Sequence, residues 1–244
     1  MQRFLRFEPA MISPFILPPP PDAQAAAAEV IAKVHDYMGL HPESELHRQG
    51  KMFGVLVYDV TSNDQSPIGN DQSYLAAFSA MLDGSYHHEG FVPPVYEAVQ
   101  PPVGTSREES RRLQRLLFAN YRFTNLQGDT CNLLEIFANE KPILSPEEYF
   151  SKSRIENHQS PITNPTSLPP SGAGECCAPK LLNYALSHGM KPIALAEFWV
   201  GAPSRTEVRQ EGTFYAPCSG RCKPILKWIL GAESEFEAGG TGSA

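Results

Sequence analysis

The chain has 244 residues, 41% hydrophobic and 19% charged, which is enough to bury a core and too apolar for a disordered polymer. A formal net charge of −7 excludes a generic polyanion binder, so any RNA contact requires a local basic patch, and DNA is not an expected partner. No apolar run reaches the roughly 18 residues of a membrane span. The start, Met1 to Glu8, lacks the apolar stretch of a signal peptide. With five cysteines, an odd number, the expectation is a cytoplasmic chain whose thiols are free or bind metal.

In chain order, residues 1–21 read as an extended arm ending in the prolines at 18–21. Residues 22–150 read as the first part of the domain. Asp22 is placed to cap a helix through Ala25–Ala28, Val30, Ile31, Val34 and Met38, with Gly39 as its stop. Lys51 to Tyr58 is a continuous apolar run expected to be a buried strand. Turn formers from Ser62 to Ser73 join it to Tyr74–Ala80, which predicts an antiparallel hairpin with a long loop. Ser85 to Pro94 reads as irregular. Thr105-Ser106-Arg107-Glu108 has the pattern of a capping box, with Thr105 as the cap of a helix running to about Asn120 and Leu113, Leu116 and Leu117 on one face. Arg107, Arg111, Arg112 and Arg115 on that helix form a candidate RNA-contacting surface; the plainer reading is a solvated face, partly neutralised by Glu108 and Glu109.

A short hairpin is expected over Tyr121–Leu133 around Gln127-Gly128-Asp129, and Ser145-Pro146 reads as another helix start. Residues 151–173, rich in Pro, Ser and Thr, read as a linker. Residues 174–231 read as a compact helix–strand–helix segment: a helix over about Cys177–His188 stopped by Gly189, a strand over Lys191–Val200, and a last helix opened by Cys218 or Ser219 and ended by Gly231. Residues 232–244 read as a disordered acidic, Gly-rich tail. The fold class expected is α/β, or α+β, with a mixed sheet and packed helices.

Four of the five cysteines lie in Gly174-Glu175-Cys176-Cys177-Ala178-Pro179-Lys180 and Ala216-Pro217-Cys218-Ser219-Gly220-Arg221-Cys222-Lys223-Pro224, each ahead of a helix. A helix start presents free amides and partial positive charge, and both favour the thiolate that binds metal. Cys218 and Cys222, four apart, can share a helix face, or meet at one ion if Cys218 lies in the entering loop. Cys176 is the expected third ligand. Cys177, about 100° round the helix from it, is the less favoured member of the pair. Three thiolates with a fourth position open is the pattern of a catalytic zinc, four that of a structural one. Plain burial of small apolar cysteines and a reversible disulfide stay open as alternatives. His87-His88-Glu89 lacks metal-ligand spacing and reads as a solvated loop. Trp199 and Trp228 read as core.

The order helix, hairpin, Cys-led helix, strand, Pro-Cys helix resembles the cytidine-deaminase-like fold, with its three-layer core. In that family a His/Cys-x-Glu motif and a Pro-Cys-x-x-Cys motif hold zinc, and the Glu moves protons. This chain departs from the pattern. Ala178 stands two residues after Cys176, the second motif carries one extra residue, and the chain ends before the family's later strands. Glu175 or Glu197 is then the candidate proton shuttle.

A second resemblance covers about residues 10–231. Gly50-Lys51-Met52-Phe53-Gly54-Val55-Leu56-Val57, Tyr74-Leu75-Ala76-Ala77-Phe78-Ser79, Phe91-Val92-Pro93-Pro94-Val95 and Gly172-Ala173-Gly174-Glu175-Cys176 occur in one order with Lys191-Pro192-Ile193-Ala194 and Phe214-Tyr215…Cys218…Cys222. Together they resemble the long N-terminal extension of some bacterial RluA-type RNA pseudouridine synthases. The helical insertion usual between the Phe-Val-Pro-Pro and Gly-Glu-Cys segments is replaced by the helix near 105–120 and the Pro-rich linker. The synthase's Arg-Leu-Asp motif does not occur, so the resemblance implies no uridine isomerisation by this chain alone. It implies a non-catalytic accessory module of RNA modification with a zinc site, whose partners are RNA or an RNA-modifying enzyme. The alternatives are a zinc-dependent nucleobase or nucleotide hydrolase and a stand-alone protein-interaction domain.

Overall fold

The computed structural model describes residues 13–59, 73–97, 105–138, 168–204 and 209–231. Helix α1 (Pro21–Leu40) is followed by strands β1 (Lys51–Asp59) and β2 (Tyr74–Phe78), then α2 (Arg107–Asn120), the short strands β3 (Arg122–Thr124) and β4 (Thr130–Asn132), and α3 (Leu133–Ala138). The last part is α4 (Cys177–Ser187), β5 (Lys191–Val200), β6 (Phe214–Tyr215) and α5 (Lys223–Leu230).

The main sheet has the order β2-β1-β5-β6, and every described pairing in it is antiparallel. β1 and β5 are its centre, with Gly54 opposite Glu197 and Phe53 opposite Phe198. Their sequences are continuous apolar runs because both faces of the sheet are covered. On one face, Phe53, Val55, Ala76, Phe78, Ala196 and Phe198 pack under the Ala- and Val-lined side of α1. On the other, Leu56, Leu75, Ala77 and Leu195 pack against Leu181, Leu182, Ile225, Leu226 and Ile229 of α4 and α5. The α/β expectation therefore holds, as helix, sheet and helix in layers. Among the described residues no helix is long and apolar enough to cross a membrane.

The expected hairpin forms, with Phe53 registered on Phe78 and Val57 on Tyr74. The expected short hairpin forms too, as β3 and β4. Three helix starts differ from the sequence reading. α1 begins with Pro21 in its first turn and no side-chain cap, so Asp22 lies inside the helix rather than capping it, where its charge complements the helix dipole. It also runs past Gly39 to Leu40. α2 is capped by Ser106, whose Oγ accepts from the Glu109 amide at 3.1 Å, one residue later than the Thr105 box. α5 begins at Lys223 with proline in its first turn, so Cys218–Cys222 is a turn entering the helix rather than its first turn.

Of the expected linker, residues 168–173 are described; they form turns in which Pro169 and Ala173 are buried. The helix start at Ser145, the bulk of the linker and the 232–244 tail lie outside the described residues, as does most of the N-terminal arm.

Candidate metal centre

Two close approaches place the first cysteine motif. A Cβ on Gly54 would come within 2.7 Å of Cys177 Cβ and 3.2 Å of Leu181 Cδ1, so glycine in β1 is what lets α4 lie directly on the sheet. Gly174 enters the helix at φ +89°, where an added Cβ would meet Tyr121 Cδ1 at 2.8 Å; a left-handed backbone against a ring admits only glycine. Cys176 follows as the residue capping α4, in extended conformation. The second motif is placed by the sheet edge. Tyr215 of β6 pairs with Glu197 of β5, and three residues later the chain reaches Cys218. The turn 219–222 then carries Cys222 to the start of α5.

The result is a cluster of Cys176, Cys218 and Cys222 whose sulfurs all lie within 4.8 Å of one another. The Cys218 and Cys222 sulfurs are 3.3 Å apart, and all five cysteines are free of disulfides. Tetrahedral ligation at about 2.3 Å per bond calls for sulfurs about 3.8 Å apart. The cluster is close to that spacing and well beyond the roughly 2.05 Å of a disulfide. Cys222 is buried, and Cys176 and Cys218 are half-buried. Cys177 points elsewhere: it is fully buried, with its thiol 3.3 Å from the Met52 carbonyl that accepts from it. Of the two neighbouring cysteines, Cys176 is the one that lies in the cluster. Cys131 stands apart, its thiol donating to Glu135, with burial foremost among the causes that push its pKa up to about 11.

The three sulfurs are unequal. Cys218 is the one held as thiolate, its pKa lowered to about 2 by the Cys176 thiol first, then by the Cys222 thiol, and further by the Arg221 and Cys222 amides at the entry to α5. Cys176 and Cys222 are pushed up, Cys176 chiefly by sharing its proton with Cys218 and Cys222 chiefly by its contact with Cys176. Three clustered sulfurs cannot all ionise without a cation. A divalent ion that displaced the remaining protons would supply the missing charge, so these three cysteines could hold a metal ion.

Two carboxylates flank the cluster without joining it. Glu197, 5% exposed on β5, accepts the Ala178 amide of α4 at 2.9 Å. Burial is the main cause that raises its pKa to about 7, with the Cys218 thiolate adding to the rise. Glu175 accepts the Tyr121 hydroxyl through Oε1, while Oε2 is buried with no partner among the described residues. Its pKa is also raised, by burial, against the pull of Lys180. Lys180 is itself buried, donates to the Phe78 carbonyl and lies 5.0 Å from the Phe78 ring, and burial lowers its pKa. Sequence reasoning missed Tyr121, which meets Glu175 across 54 residues and carries no local signal. Glu197 did carry one, as the lone charge inside the apolar run Ile193–Val200.

The arginines at 107, 111, 112 and 115 are exposed along α2, whose packing is on α3 and β4. Leu113 and Leu116, expected on one face with Leu117, are exposed at 37% and 52%, and Phe118 is the buried residue of this helix. His88 donates within its own loop, from Nε2 to the Leu82 carbonyl at 2.8 Å. Compared with protein-family models, with curated proteins and with solved structures, the chain finds no match.

Proposed function

We propose that this chain is a zinc-binding accessory module of RNA modification, non-catalytic by itself and acting in the cytoplasm beside an RluA-type pseudouridine synthase. The observation that carries the metal half of this reading is the convergence of Cys176, Cys218 and Cys222 from two separate helix entries. Nothing in their local sequences requires these sulfurs to meet, yet they do so at nearly ligating distances. Bound zinc would supply cross-linking charge that ties the turn before α5 to the start of α4, joining the segments that close the sheet face. The RNA half rests on the ordered motifs from Gly50 to Cys222. The test mixes the purified, zinc-loaded chain with a purified RluA-type synthase and follows complex formation by sedimentation and pseudouridine formation by mass spectrometry. A complex that changes the synthase's rate or RNA choice, and is lost with Cys218→Ser, is the expected result. No complex with any synthase tested would remove the RNA half and leave a metal-stabilised interaction domain.

A second reading, a zinc-dependent nucleobase or nucleotide hydrolase, is favoured by one observation. The Glu197 carboxylate reaches the backbone of Ala178, the position at which the deaminase pattern carries its glutamate. The three sulfurs would hold the ion, which supplies Lewis acidity, and Glu197 would hold and move the proton. Glu197→Gln should then abolish deamination across a nucleoside and RNA panel while Glu175→Gln serves as the comparison; an inactive parent protein removes this reading.

A further inference from the structure

On the sheet face opposite the cysteine cluster, a cavity of about 300 Å³ lies between α1, β2 and the loop after β2. Val30, Lys33, Val34 and Tyr37 line it from one face of α1, at the three- and four-residue spacings of a helix. Tyr74 and Ala76 form its floor. Leu82, His88 to Gly90 and Phe91 close the other side.

This loop is braced. Leu82 and Ser85 exchange backbone hydrogen bonds at 2.9 and 3.0 Å, and the Val92 amide donates to Ala76 at 2.8 Å. Tyr37 donates to Asp83 at 2.8 Å, tying the loop to α1. The ring of His88 stands edge-on to Phe78 at 5.4 Å and to Tyr37 at 5.8 Å, and Phe91 packs on Phe78 at 5.3 Å. The walls are therefore held in place before any ligand arrives, which lowers the cost of binding.

The chemistry of the lining narrows the occupant. A volume near 300 Å³ is at the small end of ligand pockets, which run to about 1,000 Å³, so a folded peptide or an oligosaccharide is too large. Lys33, His88 and Glu89 interrupt the apolar lining and disfavour a lipid chain. The apolar and aromatic majority disfavours a sugar phosphate. What fits is a flat ring packed among the aromatic residues Tyr37, Tyr74 and Phe91, whose edge carries both donors and acceptors. Such an edge is served by the ammonium of Lys33, which donates to Tyr74 Oη at 3.2 Å, and by the carboxylate of Glu89. In the same chain of contacts Tyr74 donates to Glu29 at 3.0 Å.

From this juxtaposition we infer that the cavity between α1 and the 82–91 loop binds a single nucleobase, either as a free nucleoside or as an unstacked base of single-stranded RNA. Stacking on aromatic side chains with hydrogen bonds to the base edge is how unpaired bases are recognised. The inference goes beyond the metal reading and stands without it, since the two sites are on opposite faces of the sheet.

The test titrates the intact chain with the four nucleosides, their 5′-monophosphates and single-stranded hexanucleotides, following amide shifts by NMR. Indole and benzoate serve as aromatic comparators. The expected result is saturable binding of at least one nucleoside with Kd below about 1 mM, weakened at least about tenfold by Phe91→Ala and by Lys33→Met. Tighter binding of the hexanucleotide than of the nucleoside identifies RNA as the source; equal binding identifies the free nucleoside. Lys33 is exposed at the pocket's edge, so its substitution leaves the fold intact, and the amide spectrum and melting temperature verify this for each variant. No saturation at about 5 mM of any nucleoside, equal affinity for indole, or binding indifferent to both substitutions overturns the inference.

Discussion

Replacing Glu197 by glutamine should stabilise the metal-free protein at neutral and alkaline pH and leave it unchanged in acid. The carboxyl is buried on β5 and its pKa is raised from 4.5 to about 7. Below about pH 4.5 both folded and unfolded chains hold the proton, and the group costs nothing. Between the two values the unfolded chain ionises while the folded chain does not, so stability falls by about 1.4 kcal/mol per pH unit. Above about pH 7 the loss levels off at about 3 kcal/mol. Glutamine is neutral throughout and its carbonyl can still accept the Ala178 amide. The stability of Glu197→Gln minus that of wild type should therefore climb from near zero at about pH 4.5 to about 3 kcal/mol at about pH 8. Urea unfolding of reduced, chelator-treated protein across that range measures it. Taking the difference between the two proteins removes the pH dependence of groups that do not interact with Glu197, while the Cys218 thiolate, which helps raise the Glu197 pKa, contributes to the difference. A difference that stays flat with pH would refute the assignment of a protonated, buried carboxyl at this position.

Two further changes probe how the site is held. Gly54→Ala pushes a methyl group into Cys177 and Leu181 and should cost about 1–3 kcal/mol by overpacking, with weaker metal retention because α4 carries Cys176; an unchanged unfolding midpoint and unchanged zinc retention would contradict the close approach of helix and strand. Tyr121→Phe removes the donor to Glu175 Oε1, so that both carboxylate oxygens lack a partner among the described residues, and should destabilise the fold by about 1–3 kcal/mol in urea titrations; a loss under about 0.5 kcal/mol would show that water serves this carboxylate equally well.

Much of this architecture is written in local patterns. The unbroken apolar runs at Lys51–Tyr58 and Lys191–Val200 announce strands covered on both faces, and the turn formers between Ser62 and Ser73 announce the hairpin. Helix starts were less legible. Thr105 and Ser106 are both competent caps one residue apart, and Asp22 competes with the prolines before it, so the boundary depends on tertiary packing rather than on residue type. Spacing alone left Cys218–Cys222 open to two geometries, on the helix or before it, and Pro224 in the first turn of α5 decides for the second. The site's surroundings were least legible. Tyr121 reaches Glu175, Lys180 reaches the Phe78 carbonyl and Glu197 reaches Ala178 only because the sheet and two helices close on one another.

Metal content of purified, reduced protein tests the central claim most directly. Plasma mass spectrometry on wild type and on the Cys176→Ser, Cys218→Ser and Cys222→Ser variants, with Cys177→Ser and Cys131→Ser as comparisons, decides whether the three clustered sulfurs are ligands. The account predicts about one zinc per wild-type chain, retained by the two comparison variants and lost by each of the three. Wild-type protein without stoichiometric metal, or a Cys218→Ser protein as stable and as metal-rich as wild type, would contradict it.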